Sequence, residues 1–274
     1  MLGAIIGDTV GSIYEFDNIK SKEFKLFDER MAVTDDSILT IATADWLLHG
    51  GDACRYYADY AKEYPNPMGG YGASFNVWAI KAASTGVAKP YNSCGNGSAM
   101  RVSPVAWFCN TKGEVLEKAK QSAECTHNHP EGIKGAQATA LGIFMAVHGK
   151  SRQNIKEVIE NDFGYDLSMP VDEIRARYSW DGIDGKGNGG ICQDSVPQAI
   201  TCAIEAQDFE DAIRNAVSIG GDSDTIACIA GSLAEAIYGI PKNIYDKGLT
   251  YLPDKLKSTV VSFENKYGCS VLAE

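Results

Sequence analysis

The sequence has little positive charge and no apolar run long enough to cross a membrane. Lysine and arginine together number 25, against 36 aspartates and glutamates, which gives a formal net charge of −11. We expect no nucleic-acid partner, because contacts with phosphates need clustered lysine and arginine. We also expect no membrane partner, because apolar stretches such as residues 138–147 are shorter than the roughly 20 residues that span a bilayer.

Paired cysteine motifs and a basic leader are absent too. The eight cysteines contain no CxxC pair, and the chain of 274 residues is long enough to build a core without a disulfide framework. We therefore expect buried, reduced thiols and a cytoplasmic protein. Residues 1–8 contain no lysine or arginine, and Asp8 interrupts their apolar stretch, so we expect no signal peptide.

Proline is scarce as well, at 9 residues, whereas 28 residues are glycine and 45% are apolar. This composition excludes a disordered or collagen-like chain. Helical spacing dominates: Phe209, Ala212, Ile213 and Ala216 recur at the i, i+3, i+4 and i+7 positions that form one helix face. Runs of alternating β-branched residues are nearly absent. The pattern predicts one compact, all-α domain of many helices over residues 1–274.

Several segments predict details of this helical fold. Residues 37–48 lead to Gly50, which is a helix-stop signal. Residues 135–147 and 225–238 are rich in small side chains that let helix axes approach closely, so we expect these two helices at the centre. The glycine-rich residues 178–190 predict a mobile loop. They fit neither an EF-hand, which needs a glutamate at its twelfth position, nor a Walker-type phosphate loop.

Two short acidic clusters stand at predicted helix starts. The first is Thr-Asp-Asp at residues 34–36, and the second is Asp-Ser-Asp-Thr at residues 222–225, which follows two glycines. One interpretation is helix capping, since threonine, serine and aspartate oxygens accept the free N–H groups of a first helical turn. A cap needs one such oxygen, however, whereas each cluster offers at least three side chains with oxygen ligands.

Taken together, the two clusters predict a metal centre. If they face each other, four carboxylates and two threonine hydroxyls meet, which is too much negative charge to gather without a cation. Oxygen donors favour a hard ion, so we expect Mg²⁺, with Mn²⁺ as an alternative. Two adjacent ions are a common device for activating water beside a phosphate or a sugar. The expected ligands are Thr34, Asp35, Asp36, Asp222, Asp224 and Thr225.

A glycine-rich turn and a histidine are further candidates for ligand contacts. Gly-Asn-Gly-Ser at residues 95–98 exposes backbone N–H groups of the kind that bind a diphosphate at a helix start, although Asn-Gly turns are common by themselves. His127 lies between Cys125 and His129, but a zinc site would need a fourth ligand at a suitable spacing. We expect His127 to contact a ligand or to be a structural histidine.

These motifs, in this order, resemble those of the ADP-ribosylglycohydrolases. The motifs are Gly-Ala-Ile-Ile-Gly-Asp at residues 3–8, Thr-Asp-Asp at 34–36, Gly-Asn-Gly-Ser-Ala-Met-Arg at 95–101, Thr-His at 126–127 and Gly-Gly-Asp-Ser-Asp-Thr at 220–225. The resemblance extends from residue 3 to about residue 241. It includes dinitrogenase-reductase-activating glycohydrolase and the ADP-ribosylarginine and ADP-ribosylserine hydrolases.

The resemblance implies an orthogonal multi-helix fold with a two-Mg²⁺ centre in a cleft, held by the ligands named above. It implies catalytic roles for Glu15 and Asp36. It also implies that the turn holds the diphosphate and the distal ribose. The substrate-binding residues that it implies are Asp35, Tyr91, Asn92, Ser93, Cys94, Gly95, Asn96, Gly97, Ser98, His127 and Ile191.

Two details look like the ADP-ribosylserine hydrolase branch. One is Glu15, and the other is Asn-Gly-Gly-Ile at residues 188–191, which would place Ile191 against the ligand. Two features depart from that branch. It usually shows an aromatic residue where Cys94 stands, and its glycine-rich loop differs in length and composition from residues 182–190, a loop that would help to choose the leaving group.

The resemblance implies an enzyme that removes ADP-ribose from a modified protein or small-molecule acceptor. It would cleave the bond at C1 of the proximal ribose, with a nearby carboxylate stabilising the oxocarbenium-like state or moving a proton. The serine-like details favour an O-linked bond. Three alternatives stay open: hydrolysis of an N-glycosidic bond to arginine, a non-catalytic ADP-ribose-binding module, and a metal-dependent phosphoesterase that cuts the diphosphate.

Overall fold

The structure, a computed structural model, describes residues 1–86 and 88–268 and the backbone of residues 272–273. Helices make up most of this part of the chain, which confirms the predicted all-α class. The helices are α1 (Leu2–Gly11), α2 (Asp35–His49), α3 (Ala53–Glu63), α4 (Ala73–Thr85), α5 (Gly97–Met100), α6 (Ser103–Phe108), α7 (Lys112–Glu124), α8 (Pro130–Val147), α9 (Arg152–Phe163), α10 (Val171–Arg177), α11 (Cys192–Ile204), α12 (Phe209–Ser218), α13 (Ser223–Tyr238), α14 (Lys242–Leu249) and α15 (Asp254–Tyr267).

Short strands accompany the helices. They are β1 (Tyr178–Ser179), β2 (Gly182–Ile183), β3 (Ile240–Pro241) and β4 (Leu272–Ala273). Strands β1 and β2 form an antiparallel pair, and β3 pairs with β4 in parallel. The segment predicted as an open loop, residues 178–190, therefore contains a small hairpin, which is closed by further backbone hydrogen bonds such as the one from the N–H of Gly189 to the carbonyl of Trp180 at 2.7 Å.

Side chains at the helix ends explain where helices begin and stop. Thr34 precedes α2, and its Oγ1 accepts a hydrogen bond from the backbone N–H of Asp36 at 3.2 Å. Thr111 and Glu114 form a reciprocal capping box at the start of α7. Such oxygens satisfy N–H groups that have no partner within the first helical turn. Helix α2 ends before Gly50, which has a φ of 76° and confirms the predicted stop.

Helix α1 lies directly against α13 because its contact face consists of glycine. A Cβ added to Gly7 would lie 1.9 Å from the carbonyl oxygen of Ala227, and a Cβ added to Gly11 would lie 2.4 Å from the Cα of Asp224. Only residues without a side chain permit such an approach. The contact places the end of α1 beside the start of α13, where the second acidic cluster stands.

The buried apolar side chains of the described residues form one continuous core. Every residue of α1 is buried, and so are residues 223–235 of α13 and most of α8. The two segments of small residues are thus central helices, as predicted. None of the described helices combines the length and the apolar character that a membrane span requires.

The cysteines follow the prediction only in part. The seven that the structure describes are free, and five of them are buried, but Cys54 and Cys94 are only partly buried. Cys94 stands in the turn that precedes α5, next to the candidate ligand-binding residues. Cys269, the eighth cysteine, lies outside the described residues.

Candidate active site

The starts of α2 and α13 lie side by side in a cleft of about 350 Å³. Asp36 and Asp224, which stand at these two starts, are 2% and 3% exposed. Oxygen atoms of Asp8, Asp36 and Asp224 lie within 4.8 Å of one another, and so do oxygen atoms of Glu15, Asp222 and Asp224. Since Asp224 belongs to both groups, the structure brings the two acidic clusters into one centre.

Asp8 fixes the geometry at the start of α2. Its fully buried carboxylate accepts hydrogen bonds from the backbone N–H of Thr34 at 3.0 Å, from the Thr34 hydroxyl at 2.6 Å and from the backbone N–H of Ser37 at 3.1 Å. The hydroxyl of Ser37 donates a fourth hydrogen bond. Asp8 therefore ties α1 to the first acidic cluster from behind the cleft.

Burial and mutual repulsion raise the pKa values of these carboxyl groups. Burial raises the pKa of Asp8 to about 6, against the opposing effect of its hydrogen bonds. The pKa of Asp36 lies well above its usual range because the group is buried and because Asp8 and Asp35 repel its charge. Burial, followed by repulsion from Asp222 and Asp36, does the same to Asp224. Without a cation, the carboxyl groups of this centre therefore favour their protonated, neutral forms.

Two oxygen atoms of the centre lack a partner. Oδ1 of Asp36 and Oδ1 of Asp224 are buried, and neither has a hydrogen bond to any described residue. A buried polar atom without a partner is costly, and a buried charge more so. The arrangement leaves these two oxygens free to bind a cation or a donor that enters the cleft.

Glu15 lines the cleft beside the second acidic cluster. Burial, followed by the charge of Asp222, raises its pKa to about 7. The indole N–H of Trp180 donates to the backbone carbonyl of Glu15 at 3.0 Å. The side-chain amide of Asn18 donates to the carbonyl of Gly221 at 2.9 Å. These bonds attach the loop that carries Glu15 both to the β1–β2 hairpin and to the start of α13.

The turn at residues 95–97 forms another wall of the cleft and is bonded to the acidic centre. The side-chain amide of Asn96 donates to Oδ2 of Asp222 at 2.8 Å. The backbone N–H of Asn96 donates to the carbonyl of Gly190 at 3.1 Å, and that of Gly95 donates to the Ser93 hydroxyl at 3.0 Å. The turn, the hairpin segment and α13 are thus held together.

His127 packs against this turn. Its Nε2 lies 3.0 Å from the position that a Cβ on Gly97 would occupy and 3.4 Å from the corresponding position on Gly95. Its Nδ1 lies 2.7 Å from the Oγ1 of Thr126. Burial, reinforced by the charge of Arg101, lowers the pKa of His127 well below its usual range, so the imidazole is neutral.

Most of the residues proposed from the sequence line the cleft. They are Glu15, Asp35, Asp36, Tyr91, Ser93, Gly95, Asn96, Gly97, His127, Asp222, Asp224 and Thr225. Two others lie behind its walls. The hydroxyl of Thr34 donates to Asp8, and the hydroxyl of Ser98 donates to the carbonyl of Gly132 at 2.7 Å. Both hydroxyls therefore already have partners within the protein.

Three more of the proposed residues act through their backbone. The exposed Asn92 has a φ of 55° and donates its N–H to the side chain of Asn128 at 2.8 Å. The carbonyl of Cys94 accepts from the N–H of Cys192 at 2.9 Å. Ile191 pairs through its backbone with Gly95. Gly190, rather than Ile191, lines the cleft. These residues shape the turn.

Asp8 and Arg101 have no predicted site role in the sequence, although the structure places both at the site. For Asp8, the available signal was a charged residue within the otherwise apolar α1. Arg101 ends the motif at residues 95–101, and the structure shows it fully buried, with its guanidinium 4.0 Å above the ring of Tyr57. Among the described residues that line the cleft, it is the one lysine or arginine.

Several curated proteins are similar in sequence to most of this chain. ADP-ribosylhydrolase ARH3 of Homo sapiens is 28% identical over 88% of this chain and 84% of its own length. ADP-ribosylhydrolase ARH3 of Danio rerio is 27% identical over 88% and 82%, respectively. ADP-ribosylarginine hydrolase Tri1 of Pseudomonas putida (strain GB-1) is 25% identical over 88% and 70%.

The fold and the family model agree with these relatives. The solved structure titled "ADP-ribosylglycohydrolase-related protein complex" superposes with a TM-score of 0.70 over 96% of each chain, and at 23% identity this likeness supports the all-α fold alone. The model of the ADP-ribosylglycohydrolase family matches residues 1–260. Because that match covers nearly the whole chain, the protein belongs to the ADP-ribosylglycohydrolase family and is a hydrolase.

Proposed function

We propose that this hydrolase releases ADP-ribose from an O-linked acceptor such as serine, and that two Mg²⁺ or Mn²⁺ ions take part. Cleavage would occur at C1 of the proximal ribose. Family membership supports the release of ADP-ribose. The observation that carries the finer assignment is the position of Glu15, whose carboxyl oxygen lies within 4.8 Å of oxygens of Asp222 and Asp224 in the cleft.

The acidic helix starts fit divalent cations. Oδ1 of Asp36 and Oδ1 of Asp224 are buried without a partner, and the side chains of the two acidic clusters offer oxygen, which hard cations prefer. The residues that would hold the ions are Asp35, Asp36, Asp222, Asp224 and Thr225, together with Thr34 through a lone pair of the hydroxyl whose proton goes to Asp8. Bound divalent ions would neutralise the carboxylates and polarise water and sugar oxygens. Asp8, whose carboxylate already accepts four hydrogen bonds, would orient the ligands from behind.

The diphosphate of ADP-ribose would lie against the turn at residues 95–97. The N–H groups of Gly95 and Asn96 already have partners within the protein, but the absence of side chains at Gly95 and Gly97 lets a phosphate oxygen approach the backbone at the start of α5. An anionic ligand also needs positive charge in a protein whose formal net charge is −11. Arg101 lines the cleft and would contribute such charge together with the bound ions.

Glu15 would donate a proton to the leaving group. Cleavage at C1 passes through an oxocarbenium-like state, and a serine alkoxide leaves poorly unless it is protonated. Burial is the largest cause of the raised pKa of Glu15, and it favours the protonated carboxyl group that a proton donor needs. Glu15 could then return to its charged form and activate the attacking water, directly or through another water.

A second candidate is hydrolysis of an N-glycosidic bond to arginine. The likeness to ADP-ribosylarginine hydrolase Tri1 over 88% of this chain favours it. A guanidine leaves more readily than an alkoxide, so this reaction would depend less on Glu15. The two candidates therefore differ in how strongly they require a proton donor at that position.

Product analysis separates the candidates. The protein is incubated with serine-linked and arginine-linked ADP-ribosyl peptides side by side, with Mg²⁺ and with EDTA, and the products are identified by mass spectrometry. Free ADP-ribose from the serine-linked peptide supports the proposal. Cleavage of the arginine-linked peptide alone supports the second candidate. AMP together with a peptide that retains a phosphoribosyl group would show a phosphoesterase, and binding without turnover would show a binding module.

A further inference from the structure

A buried chain of hydrogen bonds runs beneath the turn at residues 95–97, and the function proposed above uses only the charge of its arginine. Nη2 of Arg101 donates to Oγ1 of Thr126 at 2.9 Å. The same Oγ1 lies 2.7 Å from Nδ1 of His127. Arg101 and Thr126 are fully buried, and His127 is 5% exposed. Water therefore does not compete for these bonds.

The single proton of the Thr126 hydroxyl determines which atoms donate and which accept along this chain of hydrogen bonds. A guanidinium only donates, whereas a threonine hydroxyl has one proton to donate and two lone pairs to accept with. Arg101 takes one lone pair. The proton of Thr126 can therefore be directed to Nδ1 of His127, 2.7 Å away, while Arg101 occupies a lone pair on the same oxygen.

The charge of Arg101 favours the same arrangement. Its Nε and Nη1 have no partner among the described residues, and its other bond goes to the carbonyl of Ser122 at 2.7 Å. No carboxylate therefore offsets this charge within hydrogen-bond distance. A cation on the Nδ1 side of a neutral imidazole favours a lone pair on that side, which places the ring proton on Nε2.

We infer that Arg101 is a positioning residue that acts through Thr126 to keep the ring proton of His127 on Nε2, directed at the turn at residues 95–97. There the N–H donates to an anionic oxygen of the bound ligand. The identity of that ligand as ADP-ribose rests on the proposed function, whereas the position of the proton does not.

The surroundings of Nε2, on the side of the ring that faces the cleft, agree with this inference. Nε2 of His127 makes no hydrogen bond to any described residue, although it lies against Gly95 and Gly97. With the proton on Nε2, the ring offers a donor where a diphosphate oxygen would lie. With the proton on Nδ1 instead, a lone pair would face the ligand's oxygen and repel it.

The test is the position of the ring proton in the ligand-free protein. The ring nitrogens of His127 are observed by ¹⁵N NMR after histidine labelling, and a His127→Asn variant identifies the signals among the four histidines. We expect a single neutral form with the proton on Nε2 in the parent protein and in Thr126→Ser, which retains the hydroxyl. Thr126→Val should give a different or mixed form. A proton on Nδ1 in the parent protein would overturn the inference.

Binding of ADP-ribose, measured by calorimetry, provides the second readout. Thr126→Val should weaken binding about tenfold, the value of one ordinary hydrogen bond, and Thr126→Ser should restore it. Thr139→Val is the matched control, because the buried hydroxyl of Thr139 has no partner among the described residues. Unchanged affinity in Thr126→Val would contradict the inference. If the parent protein bound no ADP-ribose, the proposed function would fail, while the NMR result would still decide the position of the proton.

Discussion

Gly7 of α1 lies so close to Ala227 of α13 that a Cβ on Gly7 would be 1.9 Å from the carbonyl oxygen of Ala227. No side chain fits between the two helices at this point. The same close approach continues to Gly11, beside the backbone of Asp224. The spacing of these helices therefore sets the distance between Asp8, on α1, and the acidic start of α13.

Replacement of Gly7 by alanine should destabilise the protein and disturb the acidic centre. The added methyl group collides with backbone, which cannot move aside as a flexible side chain does, so we expect a loss of at least about 2 kcal/mol in the free energy of unfolding. Urea unfolding measures it. Gly113→Ala is the control, because Gly113 is helical and has open space around it, and its stability should stay within about 0.5 kcal/mol of the parent. Equal stability of both variants would contradict the close approach.

Mg²⁺ should raise the melting temperature, and Asp224→Asn should remove that effect. At a concentration one hundred times its dissociation constant, a bound ion adds about 2.7 kcal/mol, which corresponds to a shift of roughly 5 °C or more for a chain of this size. Without metal, Asp224→Asn should be at least as stable as the parent, because it removes a repelled, buried charge. Asp181→Asn, at an exposed position, should retain the full shift. A shift that persists in Asp224→Asn would argue against this site.

The metal-free protein should lose stability as the pH rises. Because the folded pKa values of Asp8 and Glu15 are raised to about 6 and about 7, the folded state binds more protons than the unfolded state between the ordinary carboxyl range and pH 7. Stability therefore falls as the pH rises through that window. Thermal unfolding in EDTA from pH 5 to pH 8 measures the slope. Saturating Mg²⁺ should flatten it, and a rising slope in EDTA would contradict the raised pKa values.

Gly97→Ala should weaken ADP-ribose binding more than it affects folding. The new Cβ would lie 3.0 Å from Nε2 and 3.2 Å from Cε1 of His127, so the ring must shift away from the position in which it contacts a ligand. The free energy of unfolding should change by less than about 1 kcal/mol, because the His127 ring lines the cleft and has space to move into it. Calorimetry and urea unfolding measure the two effects. A large loss of stability with unchanged affinity would make the turn purely structural.

The sequence predicted the helical class and the acidic clusters because these depend on local patterns. Helix α2, with its cap at Thr34 and its stop at Gly50, follows from capping and breaking signals within a few residues. The packing of α1 on α13 does not, because it depends on which glycines of two distant helices face each other. Periodicity identifies a small-residue face but not its partner.

The site residues also divide into those that a local sequence pattern identifies and those that only the tertiary fold brings to the site. Thr225 and Asp224 were identified from residues adjacent in the chain, whereas Asp8 became part of the centre only through its bonds to Thr34 and Ser37. The role of Arg101 could not be predicted from the sequence for a similar reason. A buried arginine without a carboxylate partner is rare, and nothing within its own helical turn indicates that its guanidinium lies over Tyr57 and reaches Thr126.

The most direct test of the proposed reaction compares Glu15→Gln with the parent protein in single-turnover experiments at saturating Mg²⁺. The substrate is a serine-linked ADP-ribosyl peptide, with the arginine-linked peptide beside it, and ADP-ribose affinity is measured in both proteins. If Glu15 donates the proton to the leaving group, cleavage of the serine-linked bond falls by about 10²–10⁴-fold while ADP-ribose affinity changes little. Near-parental cleavage of the serine-linked peptide by Glu15→Gln, or cleavage of the arginine-linked peptide alone by the parent protein, would contradict the account.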